Sequence, residues 1–535
     1  MSESVKIVIV DGKRNKSIEN EVKAEKGDFL KVTHRLGATL MSTLLENHLI
    51  SGNFCGGRGV CARCRVQFME AAPIPTSMER RAFSPEELRD GFRLACMVKP
   101  KNDCVIKLAF SEEPDLDIVT DMIAVSEEND LNSQTQIGED TKMIAVDLGT
   151  TTIVMQLMDV QTGRVEDTYC AMNPQRSYGA DVLSRIQAAN AGCAEKLRDS
   201  VWKVLQSGVE KFYQTSAHIC CMCIAGNTTM THLLMGLSTE RLGRAPFEPE
   251  DIGLQKCTLS DKLSGFLSES PLPVYVLPGI SAFVGGDIVA GLYQCRMLAE
   301  WAEHPQRRET VLFIDLGTNG EMAISDGTRM IVTAAAAGPA FEGGAGAAVQ
   351  GSDMVAVTAG LLEKHIIDES GLLAEPYFEQ GVTFYCPSGS IEAGNTTSRT
   401  ISDTISDMSR KQAIYLTQKD IRDLQMAKAA VRAGVEILWK KMGRPVISRV
   451  CLAGGFGYYL DVRSAIVTGL LPERLQDVVT AVGNTSLAGA FLLGRDLYTG
   501  RISESMLQEC LHEIKSINLA AEADFEALYL KHMNF

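Results

Sequence analysis

The sequence predicts a multidomain protein: a small α+β unit, then a two-lobed α/β body. Three observations carry that prediction. Residues 1–110 hold short β-branched strands around one helix and a Gly- and Cys-rich loop. Residues 111–141 are polar and acidic and read as a flexible, solvated linker. From 142 to 535 apolar strands alternate with long helical stretches, and one strand–turn–strand opening recurs after 315 − 147 = 168 residues. That period is far too long for a solenoid and suggests two similar lobes, the second starting near residue 310.

The first strand is 5–10, apolar and β-branched, closed by Asp11-Gly12. Residues 38–50 place Leu40, Leu44, Leu45, His48 and Leu49 at helical spacing. Residues 65–68 alternate like a strand, and 103–110 read as the unit's last strand. In the body, 144–150 and 312–318 are near copies, each ending Asp-Leu-Gly-Thr. Each leads into a second strand (153–158 or 321–324) and then a turn, Thr162-Gly163 or Asp326-Gly327. Residues 418–442 form a long helix with Ile421, Leu424, Val431, Val435 and Leu438 on one face. Residues 386–400 are turn-rich and read as a surface loop.

Composition excludes several classes. With 45% apolar and 22% charged residues the chain is neither disordered nor fibrous. Net charge is 52 − 67 = −15, and residues 112–140 alone hold ten acidic and no basic side chains. Such a chain is a poor general binder of nucleic acid or anionic lipid, so neither partner is expected. No uncharged apolar run of about 18 residues suggests a membrane span. The opening residues lack a basic segment followed by an apolar core, so no signal peptide is expected. Fifteen cysteines, an odd number, then point to reduced thiols, a metal or cluster site and a cytoplasmic protein.

Cys55, Cys61 and Cys64 form C-x5-C-x2-C, and Cys96 follows after 31 intervening residues. A [2Fe–2S] cluster needs four thiolates and a loop that wraps it closely. Gly56, Gly57 and Gly59 let backbone amides approach the inorganic sulfides. A four-cysteine zinc site is the alternative, although zinc sites more often pair two C-x2-C knuckles. Between Cys55 and Lys107 ten basic residues face six acidic ones, a local positive bias that is either a docking face for an acidic redox partner or ordinary surface charge.

Asp147-Leu148-Gly149-Thr150-Thr151 and Asp315-Leu316-Gly317-Thr318-Asn319 both sit at strand ends, where a tight Gly-Thr turn offers amides and hydroxyls to phosphate oxygens. The aspartates can orient Mg²⁺, usually through water. A third element, 450–457, runs a strand into Gly454-Gly455, where backbone can approach a flat nucleoside. Asp147, Asp315, Asp287 and Glu321 are the carboxylates available for Mg²⁺ or for positioning water. His232 and the trio Cys220, Cys221 and Cys223 read as core residues rather than ligands. No G-x4-G-K-[ST] motif supports a P-loop enzyme.

The cysteine spacing resembles the plant- and adrenodoxin-type ferredoxins, whose fold is a β-grasp. Arg93-Leu94-Ala95-Cys96 looks like the run that carries their fourth ligand, which favours Cys96 over Cys104. The body resembles the acetate and sugar kinase, heat-shock chaperone and actin superfamily, whose members bind ATP–Mg²⁺ between two lobes. Gly285-Gly286-Asp287 and Gly483-Asn484 open two helices that match the superfamily's inter-lobe hinge. Nearly all of the chain resembles the reductive activators of corrinoid proteins. Further runs shared with them are Met172-Asn173-Pro174-Gln175, Ala225-Gly226-Asn227-Thr228-Thr229-Met230 and Leu416-Thr417-Gln418-Lys419. Longer members carry an extra small domain where this chain has only its linker.

The resemblance implies ATP-dependent, one-electron reduction of Co(II) to Co(I) in a corrinoid protein through a [2Fe–2S] cluster, fed by a low-potential electron donor. It restores corrinoid-dependent methyl transfer. It leaves the oligomeric state open, with a homodimer as one option. The alternative from another class is a small-molecule kinase with a redox-sensing ferredoxin domain.

Overall fold

A computed structural model of the chain describes residues 4–10, 29–47, 49, 64–109, 138, 140–179, 181–216, 218–262, 272–298, 309–317, 319–338, 351–387 and 411–535. They fall into two compact units: Met1–Leu116 with Met172–Lys203 and Leu233–Ala245, and Asp117–Ala171 with Val204–His232 and Pro246–Phe535. Nearly all of the expected linker, most of the 386–400 loop, and Cys55, Cys61 and Thr318 lie outside the described residues.

The first unit contains β1 (Ser4–Val10), β2 (Phe29–Arg35), β3 (Arg65–Phe68), β4 (Phe92–Leu94) and β5 (Cys104–Leu108). They form one sheet in the order β2-β1-β5-β3-β4. β1 runs parallel to β5 and antiparallel to β2, and β3 joins β5 to β4 by antiparallel pairs. This is the β-grasp. Ile7, Ile9, Val66, Phe68, Leu94 and Ile106 alternate onto one face and bury with Leu40 and Leu44 of helix α1 (Leu40–Glu46). α1 ends four residues before the expected limit of 50. The Asn47 side chain donates to the Thr43 carbonyl at 2.8 Å, and the Leu49 amide reaches the Leu44 carbonyl at 2.9 Å, which closes the last turn.

The second unit holds two six-stranded sheets. The first comprises β6 (Lys142–Leu148), β7 (Thr152–Asp159), β8 (Val165–Met172), β9 (Ile219–Gly226), β10 (Gln255–Thr258) and β11 (Pro273–Val276), in the order β10-β11-β9-β6-β7-β8. In the second, β12 (Val311–Leu316), β13 (Gly320–Ser325) and β14 (Met330–Ala335) join β17 (Arg449–Ala453), β18 (Val479–Gly483) and β19 (Lys515–Ser516). β15 (Val382–Pro387) and β16 (Lys411–Leu416) pair separately. The sequence echo is a structural one. β6 pairs antiparallel with β7 and parallel with β9, and β12 pairs antiparallel with β13 and parallel with β17. Asp147 lies opposite Ala225 across one parallel pair, and Asp315 lies opposite Ala453 across the other.

Two glycine-rich helices tie the sheets together. α3 (Gly286–Gln294) follows the first sheet's β11, and α6 (Thr485–Tyr498) follows the second sheet's β18. A β-carbon on Gly489 of α6 would stand 1.9 Å from the Ala290 carbonyl oxygen of α3. One on Gly291 would meet the Phe313 ring of β12 at 2.7 Å, and one on Gly494 would meet Cys223 of β9 at 2.6 Å. Each helix therefore leaves one sheet and packs onto the other, and glycine alone permits that closeness. The long helix α4 (Gln418–Lys441) opens with a Thr417/Asp420 capping box and buries all five expected face residues. α5 (Gly454–Tyr459) continues directly from β17. Among the described residues no helix is long and apolar enough to cross a membrane.

Candidate functional site

The antiparallel pairing of β3 with β4 sets Arg65 opposite Leu94, which brings the flanking residues Cys64 and Cys96 together. The Ala95 amide donates to the Cys64 carbonyl at 2.8 Å. The two sulfurs stand 3.2 Å apart and are 2% and 5% exposed. A disulfide needs about 2.05 Å, so these are two facing, buried thiols, a donor pair that suits a shared metal centre. Cys104 begins β5 opposite Ile7, and burial pushes its thiol up to about 11.

The local positive charge is partly spent inside the fold. Arg65 pairs with Glu87 and lies 4.9 Å from the Phe83 ring and 5.4 Å from the Phe92 ring. Arg93 is 4% exposed and donates to the Pro73, Leu88 and Phe92 carbonyls. Two of the ten basic residues counted in the sequence therefore stabilise the domain rather than present charge freely.

In the second unit Asp147 and Asp315 end the central strands of the two sheets, and each is followed by a glycine turn. A β-carbon on Gly149 would lie 2.8 Å from the Thr152 carbonyl oxygen, so that turn closes only around glycine. The Gly317 amide donates to the Asn319 carbonyl at 2.9 Å, and a β-carbon on Gly317 would meet nothing within 4 Å. That open space suits an approaching phosphate. Thr150 and Thr151 are half-buried, and the Thr150 hydroxyl accepts from the Asn227 amide at 3.1 Å. Gly454 has φ +87°, and a β-carbon there would lie 2.4 Å from an Asp315 carboxylate oxygen. The diglycine turn thus packs directly on the second Asp-Leu-Gly-Thr loop, with Gly455 exposed beside it.

The four expected carboxylates share one electrostatic environment. Burial pushes the Asp287 carboxyl up to about 7, with repulsion from Asp147 adding to it. Burial raises Asp315 to about 7 as well, reinforced by Asp287 and Asp147. Glu321 lies opposite Asp315 across β12–β13 and is held well above the usual carboxylate range by burial, then by Asp287 and Asp315. Asp147 is also raised by burial, against the lowering pull of two hydrogen bonds. Such mutual repulsion suits a site built to receive positive charge. Among the described residues no three carboxylate, thiol or imidazole groups form a ready-made metal cage.

Two residues of this site escaped the sequence reading. Asn484 donates to one Asp147 oxygen at 2.9 Å and Ser486 to the other at 2.8 Å. Asn484 is also the N-cap of α6, accepting from the Leu487 amide, and that local role conceals the long-range one. The structural readings of the remaining residues stand. The His232 ring bridges the Thr228 carbonyl at 2.7 Å and the Glu250 amide at 3.2 Å inside the core. Cys221 and Cys223 are fully buried in β9, with Cys220 packed against the same core.

Comparison with known proteins places this geometry. Residues 26–101 match the model of the 2Fe-2S iron-sulfur cluster binding domain. Residues 143–300 match the RACo middle region, and 309–348 with 346–535 match the C-terminal domain of RACo, the ASKHA domain. The chain is 28% identical over 447 residues to the corrinoid activation enzyme RamQ of Eubacterium limosum, covering 73% of this chain and 70% of that one. It is 24% identical over 438 residues to the [Co(II) methylated amine-specific corrinoid protein] reductase of Methanosarcina barkeri, covering 73% and 76%. The solved structure of a reductive activator for a corrinoid iron-sulfur protein superimposes with a TM-score of 0.60 at 23% identity, covering 99% of this chain and 98% of that one.

Proposed function

The chain belongs to the family of reductive activators of corrinoid proteins, and we propose that it couples ATP to the one-electron reduction of a corrinoid protein from Co(II) to Co(I). The reaction restores corrinoid-dependent methyl transfer. Each 59 mV that such a step runs uphill lowers its equilibrium about tenfold. A nucleotide cycle that changes how tightly the partner is held can supply that difference.

The carrying observation is that one chain holds both the facing thiols Cys64 and Cys96 and the mutually repelling carboxylates of two phosphate loops. The [2Fe–2S] cluster, when bound, supplies a one-electron carrier, and Cys55, Cys61, Cys64 and Cys96 would hold it. Asp147 and Asp315 would hold Mg²⁺, which would supply positive charge to the phosphates. Gly149, Thr150, Thr151, Gly317, Thr318 and Asn319 receive the phosphates, and Gly454 and Gly455 the adenosine. Asp287, with its carboxyl near neutrality, can take a proton from the water that attacks the terminal phosphate. Glu321 steadies that water. Residues 1–110 serve as the electron-transfer domain, 111–141 as its linker and 142–535 as the ATPase. The partners are a corrinoid protein and a low-potential donor.

The test is an anaerobic mixture of the protein, a low-potential reductant, a corrinoid methyltransferase subunit and ATP–Mg²⁺, followed by visible absorbance. Conversion of Co(II) to Co(I) that requires both ATP and Cys61 is expected. A normally reduced cluster with cobalt left at Co(II) across several corrinoid partners, together with a phosphorylated metabolite, would replace this reading with a kinase.

A further inference from the structure

The loop that carries Cys96 is anchored by a buried carboxylate that no part of the reaction described so far uses. Glu79, in helix α2 (Glu79–Ala82), is 1% exposed. One of its oxygens accepts from the Leu94 amide at 2.8 Å. The other accepts from the Thr76 amide at 2.7 Å and the Thr76 hydroxyl at 2.9 Å. Both carboxyl oxygens are thus engaged, by three groups in all. Leu94 is two residues from Cys96, and two residues span at most about 7 Å. The negative charge therefore lies within about 11 Å of the Cys96 α-carbon. On the other side of Leu94 sits Arg93, a nearly buried cation held by three carbonyls and coupled electrostatically to Glu79.

We propose that Glu79 and Arg93 form a buried charge pair that sets the reduction potential of the cluster held by Cys64 and Cys96. Reduction adds an electron to the cluster. A fixed anion nearby disfavours that addition and a fixed cation favours it, and both act strongly where water is excluded. Glu79 has a second task, since its bond to the Leu94 amide ties the end of β4, which leads into Cys96, to helix α2. The pair thus trades two opposed fields. Glu79 makes the reduced cluster a stronger donor, which an acceptor as demanding as Co(II) corrinoid requires, and Arg93 keeps the cluster reducible by its own donor. Arg65 is not part of the pair, because Glu87 and two aromatic rings engage its partly exposed side chain.

The proposal rests on the reading that Cys64 and Cys96 are cluster ligands. Its test uses the full chain, reconstituted anaerobically, with iron, sulfide and visible spectrum measured before an electrochemical titration. Glu79→Gln is expected to raise the reduced-to-oxidised ratio at a fixed poise roughly tenfold, equivalent to about 59 mV for one electron. Arg93→Met is expected to lower that ratio by a similar factor, and the double variant to return close to the parent. The opposite signs are the diagnostic, because mere loosening of the loop has no reason to reverse with the sign of the removed charge. Two unchanged potentials, or two shifts in one direction, overturn the proposal. If Glu79→Gln assembles no cluster, Arg93→Met decides alone: a fall supports the pair and any other result overturns it. A parent protein that binds no [2Fe–2S] cluster removes the underlying reading as well, and the spectrum distinguishes that failure from an unshifted potential.

Discussion

The two Asp-Leu-Gly-Thr loops are near copies in sequence and differ in what surrounds the aspartate. Asp147 is clasped by two donors from α6, one on each carboxylate oxygen. Among the described residues no hydrogen-bond donor reaches the Asp315 carboxyl. Its neighbours are the Gly454 turn, the facing Glu321 and two further carboxylates. The register explains part of the difference, because Asp147 faces Val154 across its hairpin where Asp315 faces Glu321. One aspartate is held by two donors of the protein, and the other stands among carboxylates. A duplicated motif thus has two chemically distinct surroundings, and under the proposed function these would be the two halves of a site for an asymmetric nucleotide–metal complex.

The largest expected effect tests whether both halves are needed. Asp147→Asn and Asp315→Asn each keep the shape and remove the charge. Each should lower the rate of ATP hydrolysis by about a hundredfold, the scale of losing one preorganised electrostatic group. Steady-state release of phosphate by the anaerobic protein measures it. If one variant keeps full activity, the two loops are not complementary halves and the comparison fails.

The next effect is on stability and separates the loops by magnitude. Asp315 keeps its proton up to about 7 when folded, against an ordinary value of 3.8. The folded state therefore binds more protons than the unfolded one between those values, and its stability falls as pH rises through that window. Asp315→Asn removes that decline and should raise stability at pH 8 by a few kcal/mol, since each tenfold change in proton affinity is worth about 1.4 kcal/mol. Asp147→Asn should gain less, because Asn484 and Ser486 lose the charge they stabilise. Mg²⁺ should raise the parent's Tm more at pH 8 than at pH 5, where protons already occupy the site. Thermal melts of the three proteins at both pH values, with and without Mg²⁺, decide it. Equal responses of the two variants would mean that the clasp on Asp147 has no electrostatic consequence.

Much of this was legible in the sequence because it depends on local chemistry. The strand before each Asp-Leu-Gly-Thr, the capped helix from Gln418 and the small residues of the crossing helices declare themselves within a few positions. Cys64 and Cys96 could be paired because their motif matches a known one. Asn484, Ser486 and Glu79 could not be found that way. Each has a local role that accounts for it fully, as N-cap, as small helical residue or as a first-turn acid, while its second partner lies 337, 339 or 15 residues distant. Positive charge was over-read for the same reason, since nothing near Arg65 or Arg93 in sequence reveals the rings and carbonyls that enclose them.

The smallest expected effect tests the clasp itself. Ser486→Ala removes one of the two donors to Asp147 and leaves Asn484, with its cap on α6, in place. A single hydrogen bond of this kind contributes about 1 kcal/mol net, so the KM for ATP–Mg²⁺ should rise roughly fivefold with kcat little changed. Ser486→Thr keeps the hydroxyl and should restore the parent value. The same Ser486→Ala change made on Asp147→Asn should do almost nothing, because the charge that the hydroxyl supported is gone. The difference between the two backgrounds is the coupling energy, and contacting residues of this type give about 0.5–3 kcal/mol. A coupling near zero would mean that Ser486 acts on helix α6 alone, and the asymmetry between the loops would then rest on the register of their hairpins rather than on a donor from the opposite lobe.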